Sequence, residues 1–302
     1  MGQPNCVLVK VSPEVTLKTH FVRQYFVDKL VANIKQVLRA KSLSGNKIKK
    51  GGGRLYIFPS DKKNVSKIAF ALSTVFGVQS SAVCEMIESS ERNQIVQHAI
   101  LFCKQSLKIG DSFAIRLRQV GQKNFSSKEV EAEIGSLAMQ AVKKLKVDLE
   151  HPDKEISIEV LPIKTFFFVK EITGPIGLPL GVEGNVAVFF EGKKSELLAA
   201  FLVMKRGCNV FPVISSDSQK LKAHVNKLEK WNSFRKFAFF APNDLPLLCE
   251  KKDIAIKAIV RADKNVSKKF EVQKQEFGVP VFWPLAFFPK ELEKSFSRMI
   301  YD

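Results

Sequence analysis

Tryptophan, tyrosine and histidine are scarce in this chain of 302 residues, which has two, three and four of them. The histidines (His20, His98, His151, His224) are scattered. The five cysteines (Cys6, Cys84, Cys103, Cys208, Cys249) are odd in number, far apart, and form no Cys-x-x-Cys pair. This spacing argues against a metal centre built on closely spaced ligands and for free thiols in a reducing cytosol. Long apolar runs are also missing. The longest, Leu197 to Met204, falls far short of the ~20 residues a membrane helix needs, so no membrane partner is expected. The opening MGQPNCVLVK has no basic stretch leading into an apolar core, and Cys6 stands where N-myristoylation would need Ser or Thr. A cytoplasmic protein is expected.

Acidic residues are few as well. Lys and Arg total 48 against 30 Asp and Glu, a net charge of +18 and a pI near 9.7. With 45% hydrophobic and 26% charged residues, wholesale disorder is excluded. The length implies two or three domains, each able to bury a core. The excess charge is concentrated: residues 1–70 hold 14 Lys/Arg against three acids, Glu14, Asp28 and Asp61. A face of that kind binds polyanions, chiefly through release of their counterions, which points to nucleic acid or an acidic surface.

The first module reads strand, helix, strand, helix, strand. NCVLVKVS alternates as a strand. Residues 18–40 form an amphipathic helix whose apolar face takes Phe21, Val22, Tyr25, Phe26, Leu30, Ile34, Val37 and Leu38. KIKKGGGR suits a flexible, lysine-rich hairpin loop, followed by the strand RLYIFPS, a helix over about 65–76 and the strand AVCEMIES. This order predicts a ferredoxin-like sandwich over 1–88. A second α+β module covers 89–173: a helix over about 93–107, the strand SFAIRLRQV, a helix opened by Ser126 and Glu129 at capping-box spacing, and a closing strand pair. Arg116 and Arg118, two apart, share the polar face of their strand. After a Gly/Pro-rich linker, 174–184, residues 185–302 alternate strand and helix, with helices over 195–205 and 218–231 and a strand in RKFAFFAP. This predicts an α/β doubly wound parallel sheet, with ligands at the carboxyl ends of its strands.

Several stretches resemble one family, the tRNA 4-thiouridine sulfurtransferases. They are VSPEVTLKTHFVRQYFVDKLVANIK, VFGVQSSA, FAIRLRQVGQKNFSSKEVEAEIG, ITGPIGLPLGVEG, AAFLVMKRG and VPVFWPLAFFPKELEKSF, and they span nearly the whole chain. The resemblance implies a ferredoxin-like domain, a THUMP domain and a PP-loop ATP-pyrophosphatase domain, with tRNA held at its acceptor end by the first two. It also implies a homodimer. Carried onto this chain, the implied RNA contacts are Lys18, Arg23, Arg54, Arg116, Arg118, Lys123, Asn124, Lys143 and Lys144.

The chain departs from the family where the chemistry resides. The family's Ser-Gly-Gly-x-Asp-Ser loop is replaced by Glu191, Gly192, Lys193, Lys194, Ser195 and Glu196. Such a loop cradles pyrophosphate with backbone N–H groups at a helix N-terminus. Lys193 restores a Cβ there, and Glu191 and Glu196 put carboxylates where phosphate oxygens would lie. Two anions ~4 Å apart repel by about 4 kcal/mol at an effective dielectric of ~20. The family's Cys-x-x-Cys segment is reduced to Cys249, with Pro246 and Lys252 at the partner positions. The expectation is a tRNA-binding relative without catalysis and without a cofactor. The alternatives are an active ATP- and Mg-dependent sulfurtransferase using Cys249, or a silent subunit pairing with an active homologue.

Overall fold

The computed structural model describes residues 4–121, 124–263, 275–276 and 278–301. In chain order the first elements are β1 (Cys6–Val11), α1 (Pro13–Thr16), α2 (His20–Ala40), β2 (Lys47–Gly51), β3 (Arg54–Phe58), α3 (Val65–Ala71) and β4 (Val78–Ile87). They are followed by α4 (Arg92–Ser106), β5 (Ser112–Gln119), α5 (Ser127–Ala141), β6 (Lys146–Val147), β7 (Lys154–Leu161), β8 (Lys164–Phe168) and β9 (Glu171–Thr173). The last are β10 (Gly184–Phe190), α6 (Lys194–Lys205), β11 (Cys208–Ile214), α7 (Gln219–Asn226), α8 (Leu245–Glu250), β12 (Ile256–Val260), β13 (Gln275–Glu276), β14 (Val279–Phe282) and α9 (Lys290–Tyr301).

The chain folds into two compact units, one of Met1–Lys10, Leu43–Phe70 and Ser80–Thr173, the other of Val11–Ser42, Ala71–Gln79 and Gly174–Asp302. The first is built on a mixed sheet of order β2-β3-β1-β4-β8-β7-β5-β6, with β9 alongside β4. Gly52 and Gly53 both have positive φ (56° and 73°), the geometry of a tight hairpin turn, so the lysine-rich tract forms a paired hairpin of β2 and β3 rather than a loose loop. On β5, Phe113, Ile115 and Leu117 point into a core with Ile95 and Ala99 of α4 and Val130 and Ile134 of α5. The alternate residues Arg116 and Arg118 are exposed, as the period of two requires. Ser126 caps α5 by accepting the Glu129 N–H at 3.4 Å.

The second unit carries a five-stranded sheet of order β11-β10-β12-β14-β13. Strand β10 runs parallel to both β11 and β12. Its residues are apolar on both faces because both faces are covered. Val186, Val188 and Phe190 join Leu197, Phe201 and Met204 of α6, while Ala187 packs with Val213, Leu245 and Ile259. From β10 the chain leaves to β11 on one side and returns to β12 on the other. The carboxyl end of β10 is therefore the topological switch point of the sheet. Among the described residues no helix is long and apolar enough to cross a membrane.

Three local expectations fail, each through tertiary packing. The helix predicted over 218–231 ends at Asn226. The chain then turns so that Leu228 and Trp231 are buried, Trp231 against Phe76 and Phe201 at ring distances of 5.6 and 5.0 Å. RKFAFFAP forms no strand; it makes a single bridge, Phe240 to Val213, after Ser233 and Phe234 take positive φ. Phe21 and Tyr25 lie outside the buried face of α2, at 86% and 47% exposure, and Val22 is exposed too. The buried stripe is Phe26, Leu30, Ile34 and Val37, and each residue of a helix is offset by about 100°, which puts Tyr25 and Phe21 to one side of it.

In the first unit Arg54 is paired with Glu159, with side-chain exposures of 10% and 4%. Breaking such a pair from one side strands a buried charge, whereas replacing both partners with apolar groups does not. We therefore expect Arg54→Ala to lower unfolding free energy by about 3–5 kcal/mol in urea titrations. The double replacement Arg54→Met/Glu159→Leu is expected to recover most of that loss. Equal loss in the two variants would show that packing, not charge, holds this contact.

Candidate nucleic-acid interface and nucleotide loop

The loop from β10 into α6 is closed by its own helix. Phe190 ends the strand, Gly192 takes φ 106°, which only glycine adopts without strain, and Lys193 is extended (φ −79°, ψ 142°) as the N-cap of α6. Three residues on, Glu196 turns back. Its Oε2 accepts the backbone N–H groups of Glu191 at 2.9 Å, Gly192 at 3.0 Å and Lys193 at 3.0 Å. Glu196 is only 4% exposed. These three donors, on the loop residues that lead into the helix N-terminus, converge on one carboxylate oxygen of the same chain. Beside it, Lys193 Nζ donates to Glu191 Oε2 at 2.5 Å, and this bond holds the Lys193 ammonium above its ordinary pKa.

Two cavities flank the loop. The crevice at the switch point, between the ends of β10 and β12, measures about 60 Å³ and is lined by Phe189, Glu191, Lys193, Glu196, Arg261 and Asp263 among others. The Arg261 guanidinium lies over the Phe189 ring, 3.8 Å from its centroid. A larger cavity of about 490 Å³ lies beyond the ends of β10 and β11, lined by Gly192, Ser216, Ser218, Lys220, His224 and Lys227 among others. In the sequence, the spacing of four and three between Lys220, His224 and Lys227 is the signal that marks this group as one helical face.

The expected RNA contacts separate between the two units. Lys18 and Arg23 fall in the second. Lys18 is exposed with its ammonium 5.9 Å from the Phe26 ring, and half-buried Arg23 donates to the Thr16 carbonyl at 3.4 Å. Arg116, Arg118, Asn124, Lys143 and Lys144 belong to the first and are exposed. Arg116 leans on Glu155 (3.4 Å) and on the Leu149 carbonyl (2.5 Å). Arg118 points the same way from β5. The Asn124 N–H is held by Gln119 Oε1 at 3.0 Å. Lys143 and Lys144 sit in the turn after α5, not on the helix, and Lys144 has φ 60°. Arg54 is half-buried in the first unit and pairs through Nε with Glu159. Lys123 lies outside the described residues.

Cys249 sits on α8, half-buried against the cluster around Leu245 and Ile259. Burial pushes its thiol above the ordinary pKa, and the Glu250 carboxylate adds to the rise. The thiolate, the form that acts as a nucleophile, is thereby disfavoured.

Residues 6–82 match the ThiI ferredoxin-like domain and residues 91–170 the THUMP domain. A "Probable tRNA sulfurtransferase" of Saccharolobus islandicus is 30% identical over 334 residues, covering 97% of this chain and 86% of that protein. The crystal structure of PH1313 from Pyrococcus horikoshii superposes with a TM-score of 0.85 at 25% identity, covering 99% of this chain and all of that one. A 4-thiouridine synthetase, solved as an RNA complex with bound ATP, has the same fold, with a TM-score of 0.75 at 20% identity over 99% of this chain and 85% of that one.

The loop and the thiol each carry a prediction. Glu196→Ala leaves three N–H groups without their acceptor and is expected to cost about 1–3 kcal/mol in urea unfolding; an unchanged midpoint would mean that solvent serves those donors equally well. For Cys249 the sign follows from its raised pKa: less thiolate at pH 7.5 than in a free cysteine. Alkylation by iodoacetamide, followed by peptide mass, should be slower than for free cysteine and should accelerate only at higher pH. A faster reaction would contradict the burial argument.

Proposed function

The chain belongs to the tRNA sulfurtransferase family, and we propose that within it this protein binds tRNA without carrying out ATP-dependent thiolation. The observation that carries this reading is the Glu196 carboxylate seated on the three backbone N–H groups of the loop. The triphosphate of ATP does not fit the residues present. The phosphate-binding donors are taken, and a second carboxylate, Glu191, lines the same crevice. We read the loop as a degenerate PP-loop. Sulfur transfer through Cys249 is disfavoured by its raised thiol pKa and by the absence of a second cysteine at Cys-x-x-Cys spacing.

tRNA binding is supported by the THUMP match, by the +18 charge and by the exposed cations Arg116, Arg118, Lys143 and Lys144 beside Asn124. Such groups suit RNA, whose duplexes are read mainly through phosphates, 2′-hydroxyls and shape. Lys18 and Arg23 of the second unit are the remaining contacts of this reading. The family resemblance adds a cytoplasmic homodimer, or a subunit paired with an active homologue, which size-exclusion chromatography with and without that homologue separates.

The test is a parallel titration of the purified chain with ATP–Mg and with bulk tRNA at two ionic strengths. The expected result is salt-dependent tRNA binding and no ATP binding in the micromolar range. Arg116→Ala/Arg118→Ala should weaken tRNA binding and make the salt slope shallower by about 0.7–0.9 for each lost phosphate contact. Micromolar ATP affinity with adenylation of tRNA would overturn the reading.

A further inference from the structure

The cavity of about 490 Å³ beyond β10 and β11 is not accounted for by the loop. Its chemistry is cationic and hydroxylic. Lys220, His224 and Lys227 lie four and three residues apart, on one side of α7 and its C-terminal cap. The Lys227 ammonium stands 5.0 Å from the Tyr301 ring centroid. Ser218 Oγ accepts the Leu221 N–H at 3.1 Å, which leaves its own hydrogen available to donate, and Ser216 lines the wall beside it. One carboxylate lines the cavity, Glu191, and it is bonded to Lys193. His224 Nε2 is 3.2 Å from the Lys193 carbonyl, an acceptor, so the ring N–H faces the loop there.

These groups suit a phosphate. The apolar lining is limited to Leu221 and Ala223, and its one ring, the His224 imidazole, is tied to the Lys193 carbonyl. Lys220, Ala223 and Lys227 are exposed, so the cavity opens to solvent and to a long ligand. A mononucleotide would forgo base contacts here; a phosphodiester in a chain needs none. We propose that this cavity receives a backbone phosphate of the bound RNA, gripped by Lys220 and Lys227 with hydroxyl donors from Ser216 and Ser218. The inference rests on the tRNA-binding reading above. It places an RNA contact at the carboxyl ends of the strands, on side chains instead of the backbone donors that Glu196 occupies.

The test uses the full chain and bulk tRNA, with affinity followed by fluorescence anisotropy across a potassium chloride series. Lys220→Ala/Lys227→Ala should bind more weakly, with a salt slope shallower by about 1. Lys222→Ala, which removes one charge from the same helix but outside the cavity lining, should leave the slope unchanged and is the control for single Lys220→Ala. Single Lys220→Glu, at an exposed position, repeats the test should the double variant lose its fold by circular dichroism. If the wild-type chain binds tRNA and neither cavity variant alters the slope, this inference falls while the tRNA reading stands. If the wild-type chain fails to bind tRNA, both fall. AMP and inorganic phosphate are titrated by calorimetry into wild type and double variant. Micromolar AMP binding lost in the variant, with tRNA affinity intact, would make the cavity a free-nucleotide site and overturn the inference.

Discussion

The backbone N–H groups of Glu191, Gly192 and Lys193, in the loop that leads into α6, share one acceptor, Oε2 of Glu196, and the rest of the second unit's chemistry depends on that contact. Helix N-termini carry partial positive charge, and N–H groups of a loop that ends at one have no partner within the helix. Something must meet them. A carboxylate three residues inside the helix does so permanently and locally, and hydrogen bonds to a charged acceptor contribute about 1.5–3 kcal/mol each. An incoming phosphate would have to displace an acceptor that is already buried and covalently tethered.

The same contact explains why a changed loop leaves the fold intact. The parallel sheet is stabilised by burial on both faces of β10, by Val188 and Phe190 toward α6 and by Ala187 toward Leu245. None of these side chains belongs to the loop. A vacant phosphate nest, by contrast, is a set of polar groups waiting for a ligand, a local cost tolerated where activity requires it. A residue that satisfies those donors from within the chain removes that cost. A glutamate at the third helical position, reaching back to the N-cap N–H, is the ordinary solution.

The loop was legible from sequence because its logic is local. Phe190 ends an apolar run, Gly192 supplies the turn, and Glu196 lies within one helical turn of the donors it meets. Arg116 and Arg118 were legible for the same reason, since strand periodicity alone separates them from Ile115 and Leu117. Arg54 was not. Its partner, Glu159, is more than a hundred residues away, and no local pattern distinguishes a cation bound for a carboxylate from one bound for solvent. Phe21 and Tyr25 failed differently. Their three- and four-residue steps are helical, but a pattern fixes relative angles and not which angle meets the core. The segment after Asn226 failed because the burial of Trp231 against Phe76 and Phe201 outweighs local propensity.

The distribution of cations follows from how an RNA is held. Phosphate contacts act additively and tolerate exposure, because release of counterions, not burial, drives them. On the proposed reading, long lysines and arginines on strands, turns and short helices suffice: Arg118 on β5, Lys144 at its positive φ, Lys220 on α7. A triphosphate site needs converging backbone donors in an enclosed space, and the enclosed space here is filled by Glu196, by the Lys193–Glu191 bond and by Arg261 over Phe189. On the proposed reading, substitutions in a single loop remove the second kind of site and leave the first, which is spread over many residues and depends wholly on no one of them.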